Sequence, residues 1–253
     1  MSCIPLFIDS SKISNQNSQD ISVEFNDPIK LNPDHKYLVS LNNLTMWYSW
    51  CNISTAQANS KFRYLRANND PIILTIPDGS YSISQLNAWL FDELDVLGDT
   101  YLDGNEKKSN IIFEVNYATM KLRLELTNGF KVDFGTNNSP YRILGFDPVL
   151  YNASTNAPNQ ADITNGINTI LIHCSIANNS FLNGNKTDVI YSFVPKVVHG
   201  AQIIEQPYNP LKILVGVSNI SSIRMTVTDQ LNRIIDLKSE PVFYSLRLEK
   251  DSN

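Results

Sequence analysis

Apolar residues recur at every second position in several short segments, and this period confines most of the chain to strands with one buried and one wet face. The apolar set is Ile21, Val23 and Phe25 in one segment and Leu122, Leu124 and Leu126 in another, where Lys121, Arg123 and Glu125 take the alternate positions. The same pattern runs through Ile111, Phe113 and Val115; Ile170, Ile172, Cys174 and Ile176; Ile223, Met225 and Val227; and Val242, Tyr244, Leu246 and Leu248. A parallel sheet covered on both faces would instead read as unbroken apolar runs, so the sheets are expected to be antiparallel.

One segment breaks the period. Pro77, Asp78 and Gly79 make a turn, Ser82 with Gln85 fits a capping box, Tyr81 and Leu86 are placed for a hydrophobic staple, and Gly98 stands where a helix would end left-handed. Between these signals Leu86, Trp89, Leu90, Leu94 and Leu97 share one face at helical spacing, which predicts one substantial helix near Ile83–Leu97 lying on a sheet. With Trp89 mid-face, its truncation is expected to open a cavity, while Asp92, Glu93 and Asp95 face water. A three-stranded meander is expected next, over Ile111–Asn116, Lys121–Thr127 and Phe130–Phe134, and the Asn-, Ala-, Ser- and Pro-rich stretch Tyr151–Asn168 reads as a surface loop. Strands resume at Thr169 and run to Glu249.

The 253 residues suffice for one large all-β domain carrying an insertion. Charged residues make up only 18%, and clusters of Asn, Ser and Thr supply the polar surface and its turns. A net charge of -5, with no run of basic residues at the start of the chain, offers no positive field for phosphate, so direct nucleic-acid binding is not expected. No window has the ~18 apolar residues a membrane span needs, and no secretion signal is visible. Asn-x-Ser/Thr sequences at Asn43, Asn52, Asn185 and Asn219 are then by-products of composition. Cys3, Cys51 and Cys174 lie far apart, in no CxxC pair, and read as reduced, buried thiols.

Catalysis needs convergent groups, and the sequence brings few together. His35 and His199 lie in turns, and His173 and Cys174, adjacent in a strand, point to opposite faces and cannot pair. No phosphate-loop, zinc-protease, nucleophile-elbow or dinucleotide motif occurs. Trp47, Tyr48 and Trp50, with Phe62 and Tyr64 beyond, have only Lys61, Arg63 and Arg66 beside them, so core packing or subunit contact accounts for them better than a base-stacking platform. Asp229–Asp236 spaces its carboxylates too widely for a calcium loop and reads as a hairpin tip.

The Ile76–Leu90 turn-and-helix entry, the Leu144-Gly145-Phe146 tripeptide after Asp133 and Phe134, and the Thr228-Asp229-Gln230 turn near the end carry a resemblance. Through them, and over nearly its whole length, the chain resembles the penton or minor capsid proteins of Polinton (Maverick) elements, virophages and related adintoviruses. The resemblance implies an all-β fold: a single jelly-roll β-sandwich of two four-stranded antiparallel sheets, with an inserted helix-plus-β-meander unit. Residues 1–76 and 169–253 would form the jelly roll and 77–168 the insertion. Lys61–Arg66, Ile72–Ile76 and Leu211–Val217 would count among the jelly-roll strands.

The implied function is structural: a homopentamer at the vertices of an icosahedral double-stranded DNA virus-like particle, assembled inside the host cell and located in the virion. No enzymatic activity, cofactor or metal is implied. The partners would be further copies of itself and the major capsid protein, with no nucleic acid bound directly. Candidate subunit contacts are Trp47, Trp50, Ile53, Pro207 and Tyr208, within the segments Trp47–Ile53 and Pro195–Pro210, together with an N-terminal strand Ile4–Ile8 able to exchange with a neighbour. Leu86, Trp89, Leu90 and Leu94 would dock the helix. The competing readings are a jelly-roll attachment module for carbohydrate or a receptor, and a small β-sandwich hydrolase.

Overall fold

In the computed structural model, residues 3–13, 17–163 and 166–251 are described. The chain begins with β1 (Cys3–Asp9), β2 (Asp20–Lys30), β3 (Tyr37–Trp47), β4 (Lys61–Leu65) and β5 (Pro71–Thr75). Helix α1 (Ile83–Val96) leads to β6 (Thr100–Asp103), β7 (Glu106–Ser109), β8 (Ile111–Asn116), β9 (Lys121–Leu126) and β10 (Lys131–Asp133). The single turn α2 (Tyr141–Leu144) precedes β11 (Leu150–Tyr151), β12 (Thr155–Asn156), β13 (Ile170–Cys174), β14 (Ser180–Leu182) and β15 (Asn185–Thr187). Last come β16 (Val189–Phe193), β17 (Gln202–Glu205), β18 (Ile213–Leu214), β19 (Asn219–Asp229) and β20 (Phe243–Lys250).

The chain divides into two compact units, residues 1–50 with 167–253 and residues 51–166. In the first, one antiparallel sheet has the order β1-β20-β3-β17, with β18 also on β3, and the other the order β16-β13-β19-β2. With the two short pieces β17 and β18 taken as one strand, the eight strands in chain order fall as 1-8-3-6 and 2-7-4-5. That is the double Greek key of a jelly roll. Its core holds the inward sets that alternation predicts, Ile170, Ile172 and Cys174, Ile223, Met225 and Val227, and Tyr244, Leu246 and Leu248, together with Leu6 and Ile8 and with Val39, Leu41, Leu44 and Met46, where a register shift opposite Ser245 and Leu246 breaks the period.

Three expectations change. Lys61–Leu65 and Pro71–Thr75 are not jelly-roll strands: β4 and β5 belong to the second unit, where β4 pairs with β10 and β5. The jelly roll takes Cys3–Asp9 instead, which pairs with β20 over its whole length. Leu211–Val217 supplies only Ile213 and Leu214, because Pro207 and Pro210 interrupt a strand that starts at Gln202 and resumes on β3 past a loop.

The second unit holds a sheet of order β11-β10-β4-β5, a sheet of order β12-β9-β8, and the hairpin β6-β7. The expected meander is broken: β8 and β9 pair, but the left-handed Asn128 and Gly129 turn the chain so that Lys131–Asp133 joins β4. Tyr151–Asn168 is more than a loop. Thr155 and Asn156 add a strand to β9, and Ala157 is buried in this unit's core.

Helix α1 starts with both halves of the capping box, Ser82 and Gln85, and docks through Ile83, Leu86, Leu90 and Leu94. Trp89 is only partly buried, its Nε1 finding no hydrogen-bond partner among the described residues, and Leu97 is exposed because the helix ends at Val96 and Gly98 turns left-handed. From the same helix the Asn87 amide accepts from the Phe113 N–H at 2.9 Å and donates to the Phe113 carbonyl at 2.7 Å. It thereby covers part of the free edge of β8 as a neighbouring strand would.

Gly145 explains the tripeptide seen in the sequence. Its φ of +77° closes α2, and a Cβ there would lie 2.5 Å from the Asn159 carbonyl oxygen. Gly98, at φ +70°, has nothing within 4 Å of a Cβ. Both alanine variants incur left-handed strain, but Gly145→Ala adds a clash, so denaturant unfolding should place it lower by roughly 1–3 kcal/mol more. Similarly, Leu90→Ala should cost about 2–5 kcal/mol and exceed Trp89→Ala. The reverse order would mean that the tryptophan anchors the helix.

Candidate functional site

Strand alternation gives the outer face of the β1-β20-β3-β17 sheet an apolar row. While Leu6, Ile8, Tyr244, Met46 and Ile203 turn inward, Phe7, Phe243, Thr45, Trp47 and Ile204 turn outward. Register places Phe243, Thr45 and Ile204 side by side, and the Phe7 and Phe243 rings stack with centroids 6.3 Å apart. Phe7 is 65% exposed, Ile204 57% and Trp47 37%. Within the same outward set Asn43 carries a side-chain oxygen that is shielded from water and accepts no hydrogen bond from the described residues. The connections around β17 add Val194, Val198, Tyr208 and Leu211, all exposed, with Tyr208 at 97%.

The structure separates the candidate contacts. Trp47 and Tyr208 are accessible, and Pro207 is half-buried. Trp50 is not: it belongs to the jelly-roll core, its ring 4.2 Å from that of Tyr48. Ile53 is buried in the core of the second unit and bonded through its backbone to Gly79. Strand parity ends at Trp47, so spacing alone could not distinguish Trp47 from Trp50. The N-terminal strand is held within its own sheet, with Ile4 opposite Leu248 and Ile8 opposite Tyr244. Of the cysteines, Cys51 and Cys174 are buried but Cys3 is exposed. Phe62 and Tyr64 lie in the core, and Arg66 is tied to Asp99 at 2.7 Å and Asp70 at 2.9 Å, so these side chains form no stacking platform.

On the other sheet of the jelly roll the fold brings three distant residues together. His173 Nδ1 lies 2.6 Å from Asp188 Oδ1, and Nε2 lies 2.9 Å from the Thr228 hydroxyl. Hydroxyl, imidazole and carboxylate stand in the order of a nucleophilic triad. Yet Thr228 is only 4% exposed and its hydroxyl donates to the Asp229 carbonyl at 3.2 Å, so it is buried and committed to backbone instead of being presented for attack. The set is a polar brace linking β13, the residue before β16, and β19. Cys174, facing the opposite way in the core, has its thiol pushed up to about 12 by burial. Asp188 and Thr228 lie 15 and 55 positions from His173, and only strand register could have shown the group in advance.

The Asp229–Asp236 turn is likewise a closed brace. Asp229 accepts the Leu231 and Arg233 N–H groups at 2.9 Å and the Arg233 guanidinium at 2.6 Å. Among the described residues no group of three or more His, Cys, Asp or Glu side chains is placed to hold a metal ion. No helix among them is long and apolar enough to cross a membrane.

No family model and no curated protein matches the sequence. Among solved structures the fold is similar to the penton protein of mavirus, with a TM-score of 0.49 and 12% identity over 99% of this chain and 100% of that one. The jelly-roll assignment stands on the strand pairing above.

The brace has a pH signature. The hydrogen bond from His173 holds the Asp188 carboxyl below the usual carboxylate range. With the folded pKa depressed, the contribution is fully present above the unfolded value of about 3.9 and is lost as the pH falls through the folded one. Urea midpoints of the jelly roll measured from pH 7 down to 3 should therefore fall more steeply in the unsubstituted protein than in Asp188→Asn. Parallel curves would show that the pair adds nothing.

Proposed function

We propose that this chain is a structural capsid subunit that assembles as a homopentamer at the fivefold vertices of an icosahedral particle. The observation that carries the reading is the outward apolar row on one face of the jelly roll, in which Phe7, Ile204 and Trp47 are exposed and the half-buried Phe243 stacks on Phe7. A sandwich that works alone has no use for such a patch, and exposed apolar surface of this kind marks protein contacts. A cyclic assembly joins two different surfaces and closes only at a fixed rotation. The connections around β17 carry further exposed apolar side chains on the same unit, Val194, Val198, Tyr208 and Leu211. The net charge of -5 fits a shell component that leaves the genome to other proteins.

Incorporation tests this reading. When the protein is coexpressed with the major shell protein of its particle, cryo-electron microscopy should find it at the fivefold positions, and Ile204→Lys should empty those positions without unfolding the monomer. Shells that close in its absence, or that carry it elsewhere, would sink the vertex assignment and leave the jelly roll standing.

A further inference from the structure

A recess of about 460 Å³ opens beside the His173 brace, bounded by Asn178, Lys186, Thr187, Asp188 and Asn232. A second hollow of about 290 Å³ continues from it along the hairpin β14-β15 and shares Lys186, Thr187 and Asn232. The larger is of ligand size, but the lining is amide, hydroxyl and charge where drug-like pockets are mostly apolar. An apolar ligand would gain little there. A ligand rich in hydroxyls would find amides that both donate and accept.

The charges narrow the class further. Asp188 holds His173 through Oδ1, and Arg233 nearby is paired with Asp229. Lys186 makes no ion pair or hydrogen bond through its ammonium with any described residue, so it is the lining cation left free to meet an anionic group. The walls are also set in place beforehand. The Ser180 hydroxyl donates to the Thr187 carbonyl at 2.8 Å across the hairpin. Asn178 packs so closely over Gly216 that a Cβ there would lie 2.6 Å from the Asn178 Cβ.

We propose that this recess binds a carboxylated sugar, with Lys186 facing the carboxylate and Asn178 and Asn232 facing ring hydroxyls. The chain would then carry a glycan-recognition site of its own on the jelly roll, independent of whether it assembles at a vertex. A shallow site taking a single sugar is expected to bind on the order of millimolar.

The test is NMR titration of the isotope-labelled full chain with N-acetylneuraminate and glucuronate, against glucose and acetate. The proposal expects one or both acidic sugars to shift amides of residues 178–188 and 230–232, with glucose and acetate each weaker. Lys186→Ala should weaken the acidic sugar at least tenfold and Lys186→Arg should restore part of the loss. Gly216→Ala, which displaces Asn178, should weaken binding while the core amides stay unshifted. The absence of shifts with both acidic sugars at tens of millimolar, equal shifts with acetate, or unchanged binding by Lys186→Ala would each overturn it.

Discussion

The jelly roll depends on pairing between the two ends of the chain. β1 pairs with β20 from Cys3 opposite Glu249 to Asp9 opposite Phe243, and β2 pairs with β19 from Lys30 opposite Asn219 to Asp20 opposite Thr226. In each sheet a C-terminal strand lies between two strands that precede it in sequence, so neither sheet is complete until the chain has closed on itself. Such long-range closure is entropically slow. The unit formed by residues 51–166 is free of that constraint, being continuous in sequence with its own buried core.

That arrangement separates stability from recognition. The buried polar groups are mostly consumed in fixing the architecture: His173 with Asp188 and Thr228, Asn87 against β8, and Tyr64 donating at 2.5 Å to Asp99, which Arg66 also holds. Apart from the buried Asn43 and Tyr244 oxygens, which have no partner among the described residues, the jelly roll leaves uncommitted an apolar row on the surface of one sheet and the Lys186 ammonium beside the other. Both are surface features, suited to contact between molecules.

Much of the fold was legible because alternation fixes which side chains turn inward. The inward sets of β8, β9, β13, β19 and β20 are those the spacing predicts, and the Ser82 and Gln85 capping box starts the helix where expected. Partner choice was not legible. Period two says that Lys61–Leu65 is a strand but not that it pairs with β10, and the boundary between units fell at Trp50 instead of near Ile76 for that reason. The site suffered most where parity lapses: Trp50 and Ile53 follow the end of β3, and their burial depends on packing that spacing does not encode. Tyr208 stays exposed in a loop whose prolines were readable, and Trp47 keeps the outward parity of its strand.

Hydrogen exchange on a chain ending at Glu240, which lacks β20, tests whether the two chain ends close the jelly roll while residues 51–166 hold together as a unit of their own. The account predicts that amides of β1, β3 and β19 lose protection while those of β8, β9 and β10 keep theirs. Loss of protection throughout, or its retention in β3 and β19, would contradict it.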